Sequence, residues 1–329
     1  SKDGAATIVG LAGTPAGLID LGAVELYKSA SEAVKVTNGE IAATELEGFD
    51  HITTDTLKAS RILGNDTITN TSSYGAVELS TDAPTAADTL ASNAGLTISD
   101  NVTLTLNGMG ETAVNLVQYK NDKVAAVTFN AAASKLVTKG NGVIGEVKGG
   151  DTTKGVLEVA DKGLTVEGNV VAKDVIVGTT GTLTMGTVAD ATKAYTVNVA
   201  NLTVDGTFAA AQNTVTIGTS IEVDGTATIK TLDISAATNA AVEGTLTVDT
   251  LTANTGKTMK VGRFDSATNK DAAGTVSVAN FSTAGTIDAT RAYTDKDAWT
   301  APATSVAVKT AVAGALIKAD ENAYIAVGT

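Results

Sequence analysis

The sequence predicts a mainly β chain: a parallel β-solenoid-like repeat tract preceded by a mixed α+β region. Three observations carry that expectation. The chain is 43% hydrophobic but only 4% aromatic, so its apolar mass is Ala, Val, Leu and Ile set among Thr and Gly. β-Branched side chains lose rotamer freedom in helices and pack well on pleated surfaces, and small residues suit a narrow, stacked core. The second observation is a five-residue phrase written three times: LTVEG at 164–168, LTVDG at 202–206 and IEVDG at 221–225. The third is its spacing. Leu164, Leu183, Leu202 and Ile221 recur nineteen residues apart, followed by a Thr, Thr, Thr, Glu column and a Val, Met, Val, Val column.

Side chains alternate across a strand, which places the Leu and Val columns inward and the Thr column outward. A fixed period near twenty residues is the mark of an architecture in which each unit covers its neighbour's apolar face. One unit is then one coil, with neighbouring strands roughly 4.8 Å apart. A second strand per unit is expected at DVIVG (174–178), YTVNV (195–199), TVTIG (214–218) and TLDIS (231–235). The rival architecture is tandem antiparallel β-sandwich domains, because Asp-Gly between apolar alternations, as in IEVDGTATI, is a hairpin signal. The sequences after the turn, NVVA, TFAA and TATI, are not matched as hairpin arms should be, which favours the solenoid. EGTLTVDTLTAN at 243–254 keeps the pattern but sits out of the nineteen-residue step.

At 329 residues the chain is long enough for two or three domains. Residues 1–95 read as the mixed α+β region. GAVEL occurs at 22–26 and at 75–79, each time running into a segment with helical signals, clearest after Asp82 and Pro84. Residues 96–260 form the Thr/Val-rich β repeat region. Residues 261–329 form a C-terminal β region, a cap or assembly segment, with a break at DKDAWTAPATS (295–305).

Composition also excludes functions. Acidic residues outnumber basic ones 36 to 23, for a net charge of −13, and the arginines are Arg61, Arg263 and Arg291, so no nucleic-acid partner is expected. The absence of cysteine removes disulfides, thiolate metal sites and Cys nucleophiles. The densest apolar run, AVAGALI at 311–317, is far shorter than a membrane span. No signal peptide is visible, and Ser1 is compatible with a mature N-terminus.

The repeat tract, rich in Ala, Thr, Val and Gly and lacking Cys, looks like bacterial and archaeal surface-layer proteins and self-assembling extracellular filament subunits. Residues 72–97, SSYGAVELSTDAPTAADTLASNAGLT, resemble a phage tail-fibre segment in which a strand precedes a short helix. Both resemblances imply extended, assembled, non-catalytic proteins at a cell surface, and neither carries functional residues to numbered positions here.

Catalytic signals are weak. His51 is the one histidine, near Asp50 and Asp55, with no nucleophile elbow in the chain. Asp295 and Asp297 are oxygen ligands of the kind that suit Ca²⁺, without an EF-hand or nonapeptide pattern, so no cofactor other than a loosely held calcium ion is expected. One Trp and six Tyr make a sugar-cleaving cleft hard to build. A regular outward threonine array is the kind of surface that binds ice, but Glu222 interrupts the nineteen-residue column. The chain is therefore expected to be no enzyme but a structural subunit of an extracellular surface layer, sheath or filament. Its partners would be copies of itself and cell-surface glycan; the alternative is a receptor-binding tail fibre or adhesin. The candidate joining segments are TIVGLAG at 7–13 (Thr7, Ile8, Val9, Leu11) and AYIAVGT at 323–329 (Tyr324, Ile325, Val327), both apolar and chargeless and suited to strand addition.

Overall fold

The computed structural model describes backbone strands from Gly17 to Asn115. It then describes most of residues 127–328, apart from 130, 140, 187–191, 266–269, 291–303 and 320–322, and with no side chains for 143, 263–265 and 270–271. Every described element is a strand, and the strand pairs are parallel except for one antiparallel pair, Arg263–Asp265 with Lys270–Ala272. The fold is the mainly β, parallel solenoid that the composition and repeats predict. Tandem antiparallel sandwiches are not what the described residues form. The chain divides into two compact units, Ser1–Asp174 and Val175–Thr329.

In the first unit, residues that alternate with polar neighbours in sequence fall at common register positions. Ile19, Ile41, Leu57, Val77, Leu104, Leu136 and Leu157 follow one another up a single parallel ladder. Leu136 and Leu157, at the described end of that column, are fully buried. The two GAVEL phrases are not equivalent: Leu26 pairs with Leu46 of strand Gly39–Glu47, whereas Leu79 pairs with Ala59 of strand Thr56–Leu63, and Ala59 in turn pairs with Ala43 and not Leu46. Ala33–Lys35, in the first segment with helical signals, is a strand. Residues 82–95, where the clearer helix is expected, lie outside the described residues.

The second unit shows how LTVDG works. Each coil contributes three strand segments, not two, to three parallel ladders. The first ladder stacks residues 196–199, 214–217, 231–233 and 250–252, with Val197 on Val215 on Leu232 on Leu251. The second stacks residues 201–204, 220–223 and 239–242, with Leu202 on Ile221 on Ala240. The third stacks residues 207–210, 226–229, 245–248, 275–278 and 305–308, with Phe208, Ala227, Leu246, Val276 and Val306 in one column, all essentially inaccessible. Inward residues are buried and their neighbours are not, as the strand Thr207–Val223 shows by alternating along its length.

The nineteen-residue step is real between successive coils, as the hydrogen bond from Ser220 Oγ to Asn201 Oδ1 spans it. The four-member column of the sequence reading, however, splits. Leu202 and Ile221 do stack, but Leu183 pairs with Phe208 in the third ladder, and Leu164, in the first unit, pairs with Gly142. Likewise DVIVG does not join YTVNV: the Val177 carbonyl accepts the Asp205 N–H, as the Val204 carbonyl accepts that of Asp224, which places 174–178 on the second ladder. The apparent drift at 243–254 also disappears, because Leu246 sits directly over Ala227. All three ladders alternate inward apolar residues with polar or small outward ones, and LTM of the third ladder reads like LTV of the second, so alignment by residue type does not tell one ladder from another. True lengthening comes later, where coil-to-coil hydrogen bonds such as Thr252 to Ser282 span thirty residues.

The corner between the second and third ladders is Asp205-Gly206, Asp224-Gly225 and Glu243-Gly244. The N–H groups of Asp224 and Gly225 both donate to the Val204 carbonyl, and those of Glu243 and Gly244 to the Val223 carbonyl, all at 2.8 Å. The Gly206 carbonyl accepts from Thr226, that of Gly225 from Thr245 and that of Gly244 from Thr275. A Cβ on Gly225 would strike the Gly206 and Asp205 carbonyls, and one on Gly244 would strike those of Gly225 and Asp224. These glycines are required by close stacking, and the Asp-Gly pair is a solenoid corner instead of a hairpin turn.

Candidate assembly interface

The last described rung of each ladder is where burial fails. Val306 and Val308 of strand Thr304–Ala311 are 0% and 1% exposed. One rung further, strand Ala323–Val327 places Ile325 over Val306 and Val327 over Val308, and Val327 is 56% exposed. Tyr324, over Ser305, is 66% exposed. The same step occurs on the other ladders. Exposed Ala311 lies over buried Phe281, and Leu316, 48% exposed, begins the strand Leu316–Ala319 that lies over Thr286–Ala289. With Val312, these are the exposed large hydrophobic residues among the described ones, and all belong to this one end of the second unit.

Main-chain geometry completes the site. In a parallel ladder a residue's N–H and C=O address the same neighbour, and alternate residues address opposite neighbours. The Gly328 N–H donates to the Val308 carbonyl at 3.0 Å, which assigns Tyr324, Ala326 and Gly328 to the inner side. Ala323, Ile325 and Val327 therefore present their N–H and C=O groups to the open side, where no described strand pairs with them. Natural edges are blunted by Lys, Pro, bulges or covering segments. AYIAV has no charge and no proline.

Of the joining residues expected from sequence, Tyr324, Ile325 and Val327 thus lie on an edge paired within its own chain on one side and unpaired among the described residues on the other. Thr7, Ile8, Val9 and Leu11 lie outside the described residues, as do Asp295 and Asp297. Among the described residues no group of three or more His, Asp or Glu is placed to hold a metal ion. His51 begins the strand His51–Thr53, paired with Ala33 and Thr67. No helix among the described residues is long and apolar enough to cross a membrane. Val312 and Leu316 were not singled out from the sequence, although AVAGALI is the densest apolar run in the chain; its exposure depends on its being on the last rung.

Two surface features flank the ladders. At the corner between the second and third ladders, burial and then the neighbouring Asp224 carboxylate raise the Asp205 carboxyl above its ordinary value. On the third ladder the outward positions are Thr182 and Thr184, Thr207 and Ala209, Thr226 and Thr228, Thr245 and Thr247, Thr275 and Ser277, then Ser305 and Ala307. Glu222 belongs to the second ladder and does not interrupt these columns. No family model, curated protein or solved structure matches the chain.

Proposed function

We propose that the chain is a structural subunit of a self-assembling extracellular structure, a surface layer, sheath or filament, joined by strand contacts between copies. The observation that supports this most is the concentration of exposed Val312, Leu316, Tyr324 and Val327 on the last rung of the ladders. Monomeric proteins rarely leave a contiguous apolar patch beside unpaired backbone groups, and strand addition satisfies both at once. A parallel ladder extends without limit as long as each new strand brings the same alternation, and this chain repeats that alternation throughout.

Negative-stain microscopy of the purified protein, with labelling of intact source cells by an antibody to it, tests the proposal. Open-ended filaments or sheets and surface labelling are expected. A discrete trimer would favour the receptor-binding fibre, and unassembled particles with no surface label would overturn the assembly reading.

A second reading rests on the third ladder, whose consecutive rungs Thr226/Thr228, Thr245/Thr247 and Thr275/Ser277 hold paired hydroxyls outward. Such a regular face is suited to ordering water as ice does. Thermal hysteresis lost in Thr228→Tyr would support it, and no hysteresis in the unaltered protein would dismiss it.

A further inference from the structure

We infer that the ice-contacting surface of the second reading is one uncharged lattice of free hydroxyls on the third ladder, and that Ala209 is the gap that limits it. The inference rests on that second reading and goes beyond it in naming the residue that sets the strength of binding.

The three ladders differ in what their outward side chains do. The second carries charge outward, with Glu222, Lys260 and Asp288 in one column. On the first, Asp233 lies over Thr216 and under Thr252, and hydroxyls are spent on neighbouring rungs. Thr252 shares a hydrogen bond with Ser282, Ser282 donates to the Leu251 carbonyl at 3.0 Å, and Thr310 donates to that of Ala279 at 2.9 Å. The third ladder has neither feature. One of its outward columns runs Thr184, Ala209, Thr228, Thr247, Ser277, and the other is threonine on each of those rungs. No charged residue enters either column, and none of these hydroxyls is bonded within the chain. Thr247 and Ser277 are exposed and Thr228 is half-buried.

Rigidity completes the lattice. Strand segments 226–229 and 245–248 are paired on both sides, which fixes the hydroxyls roughly 4.8 Å apart from rung to rung and ~6.6 Å apart between columns. A hydroxyl donates one hydrogen bond and accepts two, so each can hold a water molecule in place. A charged side chain gathers its own shell of water around itself and breaks such order. An ice crystal presents water at fixed intervals, and a stiff, uncharged hydroxyl array is the protein surface that can share them.

Ala209 interrupts the array between Thr184 and Thr228. Threonine is favoured on a pleated, half-buried surface, so Ala209→Thr supplies the missing hydroxyl and leaves the ladder intact. Thermal hysteresis of the full chain, read beside the circular dichroism spectrum of each variant, tests the inference. Ala209→Thr should raise hysteresis, and Thr247→Tyr should lower it at least several-fold. Thr216→Tyr, outward on the first ladder, should leave it unchanged. Hysteresis that Ala209→Thr fails to raise, or that Thr216→Tyr lowers as much as Thr247→Tyr does, would overturn the lattice and leave ice binding itself standing. No hysteresis in the unaltered protein would remove both.

Discussion

A methyl group on Gly225 would land on the carbonyl oxygens of Gly206 and Asp205 in the coil beneath. That contact is with backbone, which cannot swing aside, so Gly225→Ala should lower stability by at least ~2 kcal/mol. Gly256 makes a useful contrast: its φ of +85° strains any L side chain, but a Cβ there meets nothing within 4 Å, so Gly256→Ala should lower stability by only about 1 kcal/mol. Urea unfolding of the two variants measures the difference, and equal losses would contradict close stacking at the corner. Asp205 offers a test by pH. Because its carboxyl is raised by burial and by Asp224, the fold favours its protonated form. That contribution is present below the ordinary carboxylate value and lost as pH rises through the raised one. Asp205→Asn should therefore be the more stable protein at neutral pH, and its advantage should shrink as pH falls through the carboxylate range. An advantage that does not vary with pH in urea midpoints would contradict the stacked acidic corner.

At the scale of the element, the Asp-Gly corners are held by main-chain bonds, and the turn before strand segment 214–217 by one buried side chain. Buried Asn213 accepts from the Tyr195 N–H at 2.7 Å and donates to the Met185 carbonyl at 3.0 Å. Asn213→Ala leaves both groups without this partner, and a loss of roughly 1–3 kcal/mol is expected in thermal or urea unfolding. Phe208, fully buried in the third ladder, should lose about 3–5 kcal/mol as Phe208→Ala. The ladders also show why the sequence was legible only in part. Alternation of Thr with Val, Leu or Ile declares a strand, and recurrence at nineteen declares a coil, so fold class could be read directly. Which ladder a strand joins could not be read: Leu183 has the same neighbours in sequence type as Leu202, yet Leu183 lies under Phe208. Number of strands per coil was hidden for the same reason. The edge strand was visible as a chargeless apolar pentapeptide, whereas the exposure of Leu316 and Val312 follows only from their place on the final rung.

For the whole molecule, the consequence of stacking is an edge that the described chain does not cover. The account is tested most directly by sedimentation velocity over a concentration series, comparing the unaltered protein with Val327→Pro. The Val327 N–H points to the open side, so proline there removes a docking donor without removing a bond to strand Thr304–Ala311, a placement that edge strands tolerate. The unaltered protein should grow in size with concentration, while Val327→Pro, with an unchanged circular dichroism spectrum, should remain the smallest species throughout. Unaltered protein that stays monomeric, or a proline variant that associates equally well, would contradict the account.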